Sequence, residues 1–159
     1  QFYHFILRGG LFYSFWYLCY NYIILQNTTL EYDFISIQVY ISAIILKVMG
    51  FDVFTLYNII GIDKGFEVEI KRQCNFTMHL GLFLNFFFSY PGGLKRMTKY
   101  VFVCLVLLFL IQIFRIISFV VCVRYFPNYW DFFHYYSPYL FYYPITLFLW
   151  YKYSSKTYV

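Results

Sequence analysis

The sequence predicts an all-α membrane protein, a multi-pass helical bundle that carries a small extracytoplasmic β-hairpin. Three observations predict it. Of 159 residues, 62% are hydrophobic, 28% aromatic and only 12% charged. A soluble domain carries about 25% charged residues, so this chain cannot cover a water-facing surface and a bilayer is its natural solvent. The apolar residues fall into runs separated by short polar turns. A single stretch, 52–72, instead alternates in the manner of a half-buried strand.

Four runs are predicted to span the membrane: 10–25, 76–90, 100–123 and 139–151. Their ends are rich in Tyr and Trp, which suit the interfacial belt. The basic turn "YPGGLKRMTKY" (90–100) holds Lys95, Arg96 and Lys99 without an acid. By the positive-inside tendency it is cytoplasmic, as is the tail with Lys152 and Lys156. The second span then enters from outside, and Cys74 lies outside. With Arg8 marking a cytoplasmic N-terminal side, the first span also leads outward. The fifth apolar run, 34–49, must leave and return on that outer side. It is read as a re-entrant or interfacial helix, with Ser36, Gln38, Ser42 and Lys47 as its wetter positions. This arrangement places all seven acids outside, and five plain spans are the competing reading.

In "FEVEIK", Phe66, Val68 and Ile70 share one face and Glu67, Glu69 and Lys71 the other. "DVFTLYNIIGI" is the expected partner, with "IDKG" as the turn, so a hairpin over 52–72 leads into Cys74. The whole chain, 1–159, reads as one integral membrane domain.

Three of the four cysteines, Cys19, Cys104 and Cys122, sit in apolar runs, where a thiol behaves as a small hydrophobe. No C-x-x-C pair suggests a zinc or redox site. The net charge of +5 comes from scattered basic residues, which fits membrane edges and not nucleic acid. Asn27 and Asn75 match a glycosylation sequon and are read as chance matches. Cys74 alone has polar company. Arg115 lies fifteen residues past Tyr100, about 22 Å of helix rise from the cytoplasmic edge. His134 stands just ahead of the last run. A thiol, a guanidinium and an imidazole are thus expected at one level near the outer interface. A thiolate is the competent nucleophile, and cationic neighbours favour it. Histidine transfers the proton, and a fixed arginine stabilises an oxyanion. An arginine within an apolar run is itself a functional-site candidate. Against these stand plainer roles: an inert interfacial thiol, a snorkelling arginine and an interfacial aromatic. His79 is the reserve base, and Lys71 and Arg72 are placed to tune the thiol or to bind lipid phosphate.

These residues resemble the exosortase/archaeosortase family of membrane transpeptidases, especially its short forms. The resemblance rests on "VEIKRQCN" before a span, "YPGGLKR", "QIFRI" inside a span, "FFHYY" before the last span, and Trp150. It covers roughly Asp33 to Tyr151 and is carried by the order of the motifs. It implies Cys74, Arg115 and His134 as a catalytic triad and no metal or organic cofactor. It further implies exported substrates with C-terminal sorting signals and an outward-facing site in the cytoplasmic membrane of a prokaryote. Membrane lipid and other membrane subunits are the further partners. Two positions depart from the family pattern: Phe76 replaces a Gly and Gln112 an Asn. The alternative is a non-catalytic integral subunit or scaffold of the same fold. A small transporter is disfavoured because the acids are expected outside the spans.

Overall fold

The computed structural model describes residues 2–24, 26, 28–63, 65–71, 77–90 and 92–155, without the side chains of Phe2, Thr28, Leu30, Met78 and His79. The chain is mostly helical, with one small antiparallel sheet. Helix α1 (Phe2–Cys19) passes into a π-helical segment, Tyr20–Ile24, and α2 (Thr28–Val48) follows. Strands β1 (Val53–Leu56), β2 (Ile59–Ile62) and β3 (Glu67–Glu69) form the sheet. Helices α3 (Thr77–Ser89), α4 (Leu94–Tyr125) and α5 (Trp130–Ser155) complete the chain, with a 3-10 turn at Pro127–Tyr129 between the last two. Among the described residues, α4 alone is long and apolar enough to cross a bilayer. Its 32 residues make a rod of about 48 Å at 1.5 Å per residue.

Helix α4 is the axis against which the other elements register. Helix α5 runs antiparallel to it: Trp130 and His134 meet Phe119, Tyr142 meets Gln112, and Tyr153 meets Tyr100. Helix α1 runs antiparallel to α3, with Phe5 on Tyr90 near one end and Trp16 on Gly81 further along. Gly81 is required there, because a β-carbon would stand 1.9 Å from Trp16 Cδ1. Helix α2 runs in the same direction as α4. Phe34 packs on Phe109, Ser42 Oγ lies 3.5 Å from the Ile113 carbonyl, and Phe51 just beyond the helix reaches Tyr125. Trp16, Ile24, Glu31, Phe34 and Leu105 line one cavity, so the α1–α2 joint sits about a third of the way along α4. Helices α1 and α2 are therefore stacked end to end alongside α3 and α4.

Helix α2 is unbroken for 21 residues, about 31 Å. The expectation for its wetter positions is corrected at two of them: Gln38 and Ser42 are fully buried on the stripe that carries Ile35, Val39 and Leu46. Residues 38 and 42 share a face with those positions at the 3.6-residue period, and burial follows the face. Glu31 and Asp33 lie in the first turns of α2, and Glu31, 3% exposed, stands beside Leu105 about a third of the way along α4.

The region 52–72 holds three strands where two were expected. "DVFTLYNIIGI" is itself a hairpin, closed by Leu56↔Ile59 around Tyr57 and Asn58, with Tyr57 at φ 52°. Strand β3 adds to β2 through Ile60↔Val68, across the anticipated turn that carries Asp63 and Gly65. Asn58 ties the sheet together: its carbonyl accepts from Ile70 N at 2.8 Å, and its Nδ2 donates to Glu69 Oε1 at 3.3 Å. The alternation in "FEVEIK" holds, with Val68 and Ile70 buried and Glu67, Glu69 and Lys71 exposed.

Two cores follow. One joins the buried sheet face (Val53, Ile60, Ile62, Val68, Ile70) to α2 and to Ile116, Phe119 and Val120 of α4. The other joins α3 (Phe83, Leu84, Phe87) to Cys104 and Leu108 of α4 and to Tyr142, Leu149 and Tyr153 of α5. Trp150 stitches this second core by donating its indole N–H to the Phe83 carbonyl at 3.0 Å.

Candidate functional site

Arg115 lies between the two cores, on the α4 face that meets α5. It is 3% exposed, and its position in a helix of apolar residues makes its partners decisive. Its Nε donates to Ser137 Oγ at 2.7 Å, and its Nη1 to the Tyr142 hydroxyl at 3.4 Å. Its guanidinium carbon stands 4.8 Å from the Phe119 ring centre and 5.6 Å from that of Tyr142, so two aromatic faces complement the cation. The Tyr142 hydroxyl in turn donates to Gln112 Oε1, one helical turn before Arg115. Gln112 is buried as well. Gln112 thus holds Tyr142, and through it the arginine.

The "HYYSP" stretch explains how Ser137 comes to receive Arg115. Pro138 lies inside α5 and has no N–H, so the helix leaves the carbonyl of residue 134 without its usual donor. The Ser137 hydroxyl donates to the His134 carbonyl at 3.4 Å while its oxygen accepts from Arg115. A proline inside the helix is thereby converted into a serine bridge from α5 to the buried guanidinium.

His134 lies in the second turn of α5, not ahead of it, because the helix starts at Trp130, nine residues before the predicted span. The residue is exposed. Its ring stacks on Trp130 at 5.5 Å and 25°, and lies 5.8 Å from Phe119. Arg115 and His134 therefore share the Phe119 ring as a common support. The backbone from Ser137 to His134 is a second link between them.

Cys74 lies outside the described residues, with Arg72, Gln73, Asn75 and Phe76; the side chain of His79 does too. Ile70, four residues ahead of Cys74, is fully buried in the cluster that contains Phe119, and Trp130 packs against that cluster. Thr77, three residues past it, opens α3 beside Leu105. Around the sheet, Arg124 donates to Asp63 at 2.9 Å and covers the Phe66 ring at 4.6 Å, which pins the β2–β3 turn to the end of α4.

The structure packs Arg115 and His134 against the same Phe119 ring and adds three residues that the sequence reading did not single out: Ser137, Tyr142 and Phe119. Only Ser137 carried a local signal, as the residue before a proline and three past a candidate histidine. Tyr142 is one of 20 tyrosines and Phe119 one of 22 phenylalanines, so neither type marks its own role. Among the described residues no group of three or more His, Cys, Asp or Glu is placed to hold a metal ion. No protein-family model matches the chain, and neither does any curated protein or solved structure.

Proposed function

We propose that the chain is an exosortase-like cysteine transpeptidase that cleaves C-terminal sorting signals of exported proteins on the outer face of the cytoplasmic membrane. The observation that carries this reading is the shared Phe119 support of Arg115 and His134, with the strand that leads to Cys74 buried in the same cluster. A buried, oriented guanidinium beside an accessible imidazole is the electrostatic half of an acyl-transfer site.

In this reading the chain is multi-pass. Helices α4 and α5 each cross, α3 (13 residues, about 20 Å) covers the inner part of the crossing that leads down from the sheet, and α1 and α2 make one crossing together, because they lie end to end against the others. That keeps the parity set by Lys95, Arg96 and Lys99: the 90–100 turn is inside and the sheet outside. The Cys74 thiolate attacks the scissile carbonyl. Arg115 faces the oxyanion that forms, and His134 delivers a proton to the leaving amine. The C–N bond breaks as the C–S bond of a thioester forms. An amine or water then attacks the thioester, loses its proton to His134 and releases the thiolate. Ser137 and Tyr142 are positioning residues: they fix the guanidinium so that little reorganisation is needed as charge develops.

The test compares C-terminal peptides of exported proteins from cells carrying the wild-type chain or Cys74→Ala. Wild-type cells should contain C-termini shortened by a hydrophobic helix and its basic tail, and Cys74→Ala cells the intact forms. Identical C-termini in both, with both chains accumulating in the membrane, would instead support a non-catalytic scaffold.

A further inference from the structure

The joint between α1 and α2 opens a cavity of about 360 Å³, within the usual range of about 300–1,000 Å³ for small-molecule sites. It is separate from the Arg115 site, since Leu105 on its wall is ten residues, about 15 Å of helix, from Arg115. Its walls are largely apolar, with Ile24, Phe34 and Leu80 among them, yet three polar groups meet in it. Glu31 brings a carboxyl group that is almost wholly buried. Thr77 Oγ1 and Trp16 Nε1 are buried atoms without a hydrogen-bond partner among the described residues. Ile24 is the last residue of the π-helical segment, a rare geometry that recurs at functional sites. The Trp16 ring is locked in place on Gly81.

We propose that this cavity binds an ammonium group carried on an apolar chain. Glu31 supplies the opposite charge. Thr77 Oγ1 accepts an ammonium N–H, and the rings of Trp16 and Phe34 offer cation–π faces. A water carried with the ammonium serves the Trp16 N–H, while Ile24, Leu80 and Leu105 receive the aliphatic stem. The proposal does not depend on Cys74 or on the transpeptidase reading.

The full chain is placed in nanodiscs of choline-headgroup lipid and titrated with dodecylammonium, dodecanol or dodecanoate. Retention on the protein is read by native mass spectrometry against protein-free discs. Dodecylammonium should bind at least tenfold more tightly than either partner of equal chain length. Glu31→Gln should bring it down to the level of dodecanol, and Leu105→Trp, which fills the cavity, should weaken it likewise. Equal or tighter retention of dodecanol or dodecanoate by the wild type overturns the proposal, and so does unchanged dodecylammonium binding in Glu31→Gln. If Glu31→Gln does not accumulate, the wild-type ranking of the three headgroups still decides. Discs containing an aminoethyl phospholipid identify the source. Competition with dodecylammonium assigns the site to bilayer lipid, and lack of competition, with the ammonium preference intact, to a free amphiphile.

Discussion

Arg115 is the residue on which the site's geometry converges, and the cost of disturbing it follows from its burial. Removing one partner leaves a charged donor short of an acceptor, which typically costs about 1–3 kcal/mol. Ser137→Ala and Tyr142→Phe should each lower thermal stability in detergent by that amount and slow acyl transfer. Arg115→Lys keeps the charge but loses the fork that reaches both hydroxyls, so it should retain the fold and lose most activity. Full activity in Arg115→Lys would show that charge alone matters. Cys74→Ser should abolish processing, while Cys104→Ser and Cys122→Ser should stay active; equal loss in all three would point to packing. His134→Ala should stop acyl-enzyme formation, and His79→Ala should act mainly on stability. At this scale the sequence was legible where a residue type is costly in its surroundings. An arginine in an apolar run and a histidine just ahead of the last run both stood out. Tyr142 and Phe119 did not, because what distinguishes them is the ring they face across a helix pair, and only the fold supplies that.

The helices could be read from apolar runs, but they extend past those runs at most ends. Helix α5 begins at Trp130 and α4 at Leu94, since polar and aromatic residues at a helix end keep helical backbone while leaving the apolar core. Helix α2 misled for a different reason. Gln38 and Ser42 are polar, yet they fall on the face that α4 covers, and face outweighs residue type once a helix packs on both sides. The strand alternation of 66–71 was fully legible, while the extra hairpin was hidden because Tyr57 and Asn58 are not a glycine-based turn pair. Two tests belong to this scale. Ile60→Ala removes a fully buried side chain of the central strand that packs against α2 and α4, and should cost about 2–5 kcal/mol. Gly81→Ala places a methyl group against the Trp16 ring and should loosen α1 from α3, seen as faster proteolysis of α1 with α4–α5 protected. Unchanged cleavage would contradict the tight approach at Gly81.

The whole molecule carries one architectural consequence of its element order. Because α2 continues α1 and does not return, the sheet, His134 and the C-terminal end of α4 all lie at one end, and Lys95, Arg96 and Lys99 in the first turns of α4 at the other. A membrane-impermeant thiol reagent should label Asp52→Cys and Glu67→Cys from outside and Lys95→Cys only after the membrane is opened. The reverse pattern would overturn the outward-facing site. The polar economy of the chain has the same logic. Among the described residues the buried charged side chains are Glu31 and Arg115, and Arg115, like the half-buried Arg96 and Arg124, lies against aromatic rings, so cation–π support takes over part of the work that water does for a soluble protein. The central claim is that Cys74 forms an acyl-enzyme beside Arg115 and His134. Its most direct test is mass spectrometry of the chain purified from its own membranes, read for a hydroxylamine-labile adduct on Cys74. The account predicts a peptide-derived adduct on the wild type and none on Arg115→Ala or His134→Ala chains that still fold. A folded, membrane-inserted wild-type chain whose Cys74 carries no such adduct while exported proteins are being processed would contradict it.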